Sequence, residues 1–415
     1  MNKEMLKIAE TIKTAGGRMY LVGGAVRDFL MNKPNKDEDY CVVGISYEEF
    51  VNLFPEAYVR GKDFPVFDLN GCEVALARTE RKIGQGHKGF EIKTDKNITI
   101  EQDLARRDIT INSMALDILT KEIIDPYGAQ EDIKNKLIRA TTHSFAEDPL
   151  RVYRVARFAA QLEFDVEKST LKLMNSLKSE LNTISKERVF TEFKKALQAN
   201  KPSIFFKVLR EAGVLEIHFK EIADLIGSEQ PVKYHPEGDS YNHTMEVIDR
   251  ACGMTTNLEI RYAALVHDLG KGITPKEMQP HHYGHDKKGV EVVANFSNRI
   301  GVPNSWKKCG KTAAKEHMIG GIFWQMTPAK QVDFLERVNK SMLGLEGLQI
   351  VVNADKNDRE PHQFQTLKQA ILEEIDGELV KQKYGLEEGI KLKEKLRQER
   401  IAKMKTLIKE NAKKQ

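Results

Sequence analysis

Residues 21–40 read LVGGAVRDFLMNKPNKDEDY, and the succession of residue types along them decides what fold surrounds them. The run RMYLV, residues 18–22, has the β-branched and aromatic character of a strand, and it leads into Gly23 and Gly24. Two residues without Cβ atoms let backbone N–H groups come close to a bulky anion. AVRDFL, residues 25–30, reads as the first turns of a helix, so Arg27 and the positive end of the helix dipole face the same anion. A phosphate fits that description. After a turn at NKPN, residues 32–35, the run DEDYCVVG reads as a second strand. Alternate side chains of a strand share a face, so Asp37 and Asp39 point the same way. Two carboxylates held that close repel unless a cation lies between them. A glycine pair alone marks an ordinary turn, but a phosphate cradle beside paired carboxylates points to metal-assisted phosphoryl or nucleotidyl transfer.

Beyond this stretch, the 415 residues are 40% hydrophobic and 30% charged, enough to build cores in about two to four domains. The formal net charge of +4 is compatible with an RNA partner without requiring one. The four cysteines, Cys41, Cys72, Cys252 and Cys309, form no C-x-x-C pair, which argues against a disulfide framework and a thiolate zinc site. The N-terminal MNKEMLKIAETIKTAGG is an amphipathic helix without a signal-peptide core, and no run approaches a membrane span. A cytoplasmic protein with no membrane partner is expected.

Residues 1 to about 140 mix strand-like runs, including PVFDLN (65–70) and EVALART (73–79), with helices, as an α/β domain does. From about 145 onward the apolar residues fall at helical spacing in DPLRVYRVARFAAQ, TLKLMNSLKSELN, ERVFTEFKKALQA and SIFFKVLREAGVL. The fold class is therefore α+β, an α/β head followed by an all-α remainder. A histidine-rich loop, QPHHYGHDKKG (279–289), interrupts the helices, and the chain ends in a lysine-rich helix from Gly389, a solvated face or an RNA-backbone contact.

Several further motifs follow in order: ALARTERK, DLARRDITINSMALD, IIDPYGAQEDI, AEDPLRVYRVARFAA, ISKERVFTEF, YHPEGDSYNHT and HDLGKG. With LVGGAVRD and DED, this series resembles the class II tRNA nucleotidyltransferases, specifically the bacterial multifunctional CCA-adding type with an HD phosphohydrolase domain. The resemblance spans nearly the whole chain. Ser113 replaces a common alanine and IHFKEI (217–222) replaces a usual Phe-Pro-Glu-Ile, both departures of structural character. It implies a nucleotidyltransferase head over 1–140, a helical neck and RNA-binding region over 141–230, an HD domain over 231–365 and a basic tail over 366–415. The implied activity is addition of the 3′-terminal CCA of tRNA from CTP and ATP by a monomer or homodimer.

By the same resemblance, Asp37 and Asp39 hold two magnesium ions, and Glu73 in CEVALART is the candidate third acid. Arg107 contacts the nucleotide, with Arg106 and Asp108 in support, and Gly24 and Arg27 complete the triphosphate site. Glu147, Asp148, Arg151, Arg154 and Arg157 recur at steps that place them on one helical stripe. The resemblance makes this stripe a protein template. Cytosine and adenine both present an amino donor beside an unprotonated ring nitrogen, so Asp148 accepts from the amino group and Arg151 donates to the nitrogen, with Glu147 holding Arg151. Arg154 and Arg157 lie near the nucleotide. The family's mobile loop falls within TERKIGQGHKGFEIKTD, residues 79–95.

Nucleotide addition has no use for His243, His267, Asp268, His285, His317 and Asp355, which stand in the ligand order of an HD metal phosphohydrolase. Mixed imidazole and carboxylate donors suit a first-row transition metal such as nickel better than magnesium, and the extra histidines can support a second ion. His281 or His282 can take the place of His285. The implied substrates are 2′,3′-cyclic phosphates, 2′-nucleotides and simple phosphate esters. Competing readings are an enzyme that adds only A or only CC beside an inactive HD domain, a protein uridylyltransferase, and a non-catalytic RNA-binding protein.

Overall fold

A computed structural model describes residues 3–34, 38–60, 65–82, 90–233, 236–356, 361–387 and 389–412. Asp37 therefore lies outside the described residues. The chain forms two compact units, one of Met1–Arg188 with Ile204–Val214 and one of Val189–Ser203 with Leu215–Gln415.

The first unit opens with α1 (Lys3–Thr14), β1 (Arg18–Val22), α2 (Gly24–Leu30), β2 (Asp39–Val43) and α3 (Tyr47–Leu53). There follow β3 (Tyr58–Arg60), β4 (Val66–Leu69), β5 (Cys72–Leu76), β6 (Arg78–Lys82), β7 (Phe90–Thr94), α4 (Ile100–Ala105), β8 (Ala115–Asp117) and β9 (Ile123–Ile124). Seven strands make one sheet in the order β3-β4-β5-β2-β1-β8-β9, with β2 and β5 its parallel pair. Strand alternation explains why both faces are covered. Met19 and Leu21 of β1 join α1 and the Phe50–Phe67 aromatic contact on one side, whereas Tyr20, Val22 and Cys41 meet Ile100 and Leu104 of α4 on the other. Capping boxes start α3 at Ser46/Glu49 and α4 at Thr99/Gln102. Within the span 79–95, read from sequence as a loop, β6 and β7 pair as an antiparallel ribbon. The described flanks, 78–82 and 90–94, satisfy their backbone by strand pairing, and residues 83–89 lie outside the described residues.

The unit continues through α5 (Ala129–Lys134), β10 (Leu137–Ile138), α6 (Arg151–Leu162), β11 (Asp165–Val166), α7 (Lys168–Ser176), the first residues of α8 (Lys186–Leu197), whose remainder belongs to the second unit, and nearly all of α9 (Ser203–Glu211).

The regular elements of the second unit are helices, and no strand is found among its described residues. Its elements are α10 (Leu215–Ala223), α11 (Ser240–Met254), α12 (Leu258–Val266), α13 (His285–Arg299), α14 (Asn304–Gly321), α15 (Pro328–Asn339), α16 (Gly344–Asp355), α17 (Phe364–Leu367), α18 (Gly377–Tyr384) and α19 (Ile390–Ala412), with short 3₁₀ turns and one π-helical stretch between them. Its core is built from small and branched residues such as Ala263, Ala313, Val332, Leu335, Leu348 and Val352, with Phe323 and Phe364. Small residues on α12 and α14 let these helices approach closely, which fixes the polar side chains they carry. No helix of the described residues is long and apolar enough to cross a membrane.

Candidate functional sites

In the first unit the glycine turn behaves as its sequence requires. Gly23 adopts φ +72°, and a Cβ there would come within 2.9 Å of the Arg107 guanidinium. The turn forms one wall of a cleft of about 790 Å³ lined by Gly23, Gly24, Arg27, Asp39, Arg78, Arg106, Arg107, Asp108, Asn112, Asp148, Leu150, Arg151, Arg154, Arg157, Phe158 and Arg188. Eight of these are arginines and three are aspartates, so the lining carries an excess of positive charge and suits a polyanion.

Each arginine that can be followed is held by a definite partner. Arg27 donates to Asn112 Oδ1 at 2.7 Å and to Asp28. Arg106 and Arg107 both bond Asp103, whose side chain is 1% exposed. Arg154 pairs with buried Asp108 at 2.7 Å. Burial alone would raise both carboxyls, but the paired guanidiniums outweigh it and hold Asp103 and Asp108 below the usual carboxylate range. Phe158 collects three guanidiniums around its ring, Arg157 at 3.9 Å, Arg27 at 5.4 Å and Arg154 at 5.7 Å from its centroid.

Asp39 opens β2, and its register partner on β5 is Glu73. Residues paired across adjacent strands point to the same face, so two acids adjoin at the edge of the cleft, a donor set that fits a hard divalent cation. Glu73 is outside the cleft lining, as is Glu147, which ends a 3₁₀ turn over His143–Glu147.

The expected single helical stripe from Glu147 to Arg157 is corrected by the structure. Helix α6 begins at Arg151, and Asp148 is extended at φ −122°, ψ 108°. Pro149 is the cause, because a residue before proline is driven out of the α region. Asp148 still faces the cleft with Arg151, Arg154 and Arg157. It accepts from Arg188 at 2.9 Å and caps Leu150, while Arg151 donates to the carbonyls of Ser144 and Arg106. Arg188 and Phe158 escaped the sequence reading. Arg188 lies in the quoted ISKERVFTEF motif, but only folding shows that it meets Asp148.

The second unit holds a different kind of site. Asp268 closes the turn after α12 and is 1% exposed, with its two oxygens serving two groups of histidines. Oδ1 lies 3.2 Å from Nε2 of His285 and 3.2 Å from Nε2 of His317. Oδ2 lies 3.3 Å from Nε2 of His267, 3.7 Å from Nε2 of His243 and 2.6 Å from the Lys271 ammonium. Asp355, at the end of α16, completes the His243–His267 group at 2.9 Å from His243 and 3.7 Å from His267. All six residues expected from sequence therefore converge, and His285 rather than His281 or His282 is the member from the histidine-rich loop.

The outer nitrogens show what the inner ones are for. Nδ1 of His267 donates to Ala264 O at 2.7 Å, that of His285 to His282 O at 2.6 Å, and that of His317 to Ala313 and Ala314. Nδ1 of His243 is held at 2.5 Å by Glu237, another residue missed by the sequence reading although it stands in the YHPEGD motif. Every imidazole is thus fixed with the Nε2 lone pair directed inward. Nε2 of His285 and of His317 are 3.4 Å apart, an arrangement that asks for a cation between the lone pairs. Burial opposes charge on His267, but Asp268 and Asp355 outweigh it and push His267 up to about 10, so the two carboxylates favour a positive charge at the inward Nε2, whether proton or metal ion. The tight packing has a backbone cause. A Cβ on Gly270 would come within 2.1 Å of His285 O, so only glycine lets the turn carrying Asp268 lie against the start of α13.

Three domain families match along the chain: the Poly A polymerase head domain at residues 19–139, the probable RNA and SrmB-binding site of polymerase A at 163–226, and the HD domain at 240–322. The chain is 43% identical over 354 residues to the Multifunctional CCA protein of Mannheimia succiniciproducens, covering 82% of this chain and 84% of that one. It is 43% identical over 328 residues to the protein of the same name from Pseudoalteromonas atlantica, covering 77% and 80%. Its fold is similar to the Thermotoga maritima CCA-adding enzyme complexed with tRNA, with TM-score 0.66 and 19% identity over 97% of this chain and 92% of that one. It is also similar to the Bacillus stearothermophilus CCA-adding enzyme in complex with CTP, with TM-score 0.59 and 21% identity over 98% and 94%.

Proposed function

Since the chain belongs to the multifunctional CCA protein family, we propose that it adds and repairs the 3′-terminal CCA of tRNA in the cytoplasm, using CTP and ATP. The observation that carries this reading is the arginine-lined cleft with Asp39 at its edge. Asp37 and Asp39, with Glu73 as the third acid, would hold magnesium. When bound, magnesium lowers the pKa of the primer hydroxyl and offsets the charge of the triphosphate. Gly23, Gly24, Arg27 and Arg107 bind the phosphates through backbone N–H groups and guanidiniums. Asp148 accepts the amino hydrogen that cytosine and adenine share, and Arg151 donates to the neighbouring ring nitrogen. Uracil and guanine present the reverse pattern and leave both side chains unpaired, which costs more than a missing contact. Arg154, Arg157 and Phe158 form the adjoining wall, and Glu147 supports Arg151. The head over 1–140, neck over 141–230, HD domain over 231–365 and tail over 366–415 are the proposed division of labour.

The test is incubation with a tRNA lacking its 3′ end and each labelled nucleoside triphosphate separately. Incorporation of C and A but not U or G is expected. Incorporation of one nucleotide alone would show a divided pathway, and none would overturn the assignment.

The inward-facing Nε2 atoms favour a second reading, that the histidine cluster is a phosphohydrolase centre. The donors fit a first-row transition metal, which His243, His267, Asp268 and Asp355 would hold, with His285 and His317 beside Asp268 able to support a second ion. Such ions, when bound, activate water for attack on a phosphoryl group. Nickel, cobalt or manganese should support hydrolysis of a 2′,3′-cyclic nucleotide, a 2′-nucleotide or a simple phosphate ester. Failure with all of these would leave the cluster a scaffold.

A further inference from the structure

Phe158 is an apolar side chain in a cleft otherwise lined by charge. It is 8% exposed on α6, and guanidiniums reach its ring from two separate helices, Arg154 and Arg157 from α6 itself and Arg27 from α2. Helical spacing explains only one of these contacts. Arg154 stands four residues before Phe158 and shares its face of the helix, whereas adjacent residues point apart, so Arg157 turns back to lie 3.9 Å from the ring centroid. Two of the three cations are tied a second time by polar bonds. Asn112 accepts from Arg27 at 2.7 Å through Oδ1 and donates to Asp108 at 3.3 Å through Nδ2, and the other oxygen of Asp108 accepts from Arg154 at 2.7 Å. Arg27, Asn112, Asp108, Arg154 and the Phe158 ring therefore form a closed circuit that joins α2 to α6.

Guanidiniums gathered on one ring repel one another, and something must hold them there. A carboxylate does so but cancels the positive charge that attracts a polyanion. An aromatic ring attracts cations through the negative faces of its quadrupole and carries no net charge. We propose that Phe158 is a positioning residue, whose ring holds Arg27, Arg154 and Arg157 together for the triphosphate of the incoming nucleotide and leaves their charge to the ligand. The inference rests on the reading of the cleft as a nucleotide site. It divides the work of that wall in two: the polar chain through Asn112 and Asp108 places Arg27 and Arg154, and the ring brings Arg157 to them.

The test changes the electron distribution of the ring and keeps its shape. Pentafluorophenylalanine, introduced at position 158 of the full-length protein by stop-codon suppression, is close to phenylalanine in size, but its faces are positive. Calorimetry without magnesium measures the affinity for inorganic tripolyphosphate, a probe with neither base nor sugar, and CTP competition confirms its place. Affinity should fall on the order of ten-fold in the pentafluoro protein and in Phe158→Leu. Ratios of kcat/KM among the four nucleotides should stay as in the wild type, because only the grip on phosphate is loosened. If the ring is merely an apolar plug, the pentafluoro protein will match the wild type and Phe158→Leu alone will bind weakly, which overturns the inference. Altered base ratios with undiminished tripolyphosphate affinity overturn it too, as does a wild type that leaves tripolyphosphate unbound. A ten-fold loss in both variants, with no nucleotide incorporated by the wild type, sustains the inference and overturns the nucleotidyltransferase reading. Incorporation of C and A with equal tripolyphosphate affinity in all the proteins does the reverse.

Discussion

The two sites carry opposite imbalances. The cleft of the first unit gathers eight arginines around three aspartates, and two of its ion-paired guanidiniums remain accessible, with Arg154 35% and Arg188 28% exposed at the side chain. The cluster of the second unit turns four imidazole lone pairs and two carboxylates onto one point that is almost wholly buried. A surplus of fixed cations in an open cleft asks for an anion that arrives and leaves. A surplus of inward donors in a dry core asks for a cation that stays. The missing charge identifies the class of ligand in each case, before any family is considered.

If the two sites are chemically separate, each should be removable alone. Asp39→Ala should lower nucleotide addition on the order of a thousand-fold or more and leave phosphoester hydrolysis intact, whereas His267→Ala or Asp268→Ala should do the opposite. Assaying both activities on each variant decides it, and a loss of both activities in any one of them would break the separation.

A smaller effect sharpens the account of the cleft. Asp103 anchors Arg106 and Arg107 from a buried position, so Asp103→Asn should cost about 3 kcal/mol in urea unfolding at pH 7. The native carboxyl is held below its unfolded value near 3.9, so its contribution is present above that pH and fades as the pH falls below it. Wild type and variant should therefore converge in stability as the pH is lowered below 4.

Arg188→Ala and Asp148→Ala should relax discrimination against UTP and GTP by about ten- to a hundred-fold in relative kcat/KM, since each leaves its partner misplaced on the cleft wall. Unchanged ratios among the four nucleotides would remove Asp148 from the template. The mildest effect belongs to the cluster. Glu237→Gln keeps the shape but weakens the hold on His243, and a drop of about ten-fold in metal affinity by competitive chelation is expected.

Much of this was legible because it is local or carried by spacing. The strand, glycine turn and helix around Gly23 follow from residue type alone, and the histidine and aspartate cluster stands out because His267 and Asp268 are adjacent at the end of an apolar helix. What the sequence hid is non-local or decided by one residue. Pro149 breaks a periodicity that otherwise reads as an unbroken helix. Arg188 reaches Asp148 across 40 residues of sequence, and Glu237 looks like a loop acid until His243 is seen against it. The choice of His285 over His281 and His282 depends on the glycine contact that brings the start of α13 against the turn of Asp268. Neither signal exists in one dimension.

The bond from Arg27 to Asn112 joins residues 85 apart, and the Gly23 amide is closed by the carbonyl of Met114. During synthesis, therefore, the turn that opens the chain's chemistry waits for β8, and the cleft waits for Arg188. A ribosome adding about 5–20 residues per second needs on the order of ten to thirty seconds for that interval. Long-range closure of this kind is also the slow part of folding. Until it is complete, the nascent chain carries the order of residues of a nucleotide site but not its walls, so nucleotide cannot serve as an early template for folding of the head.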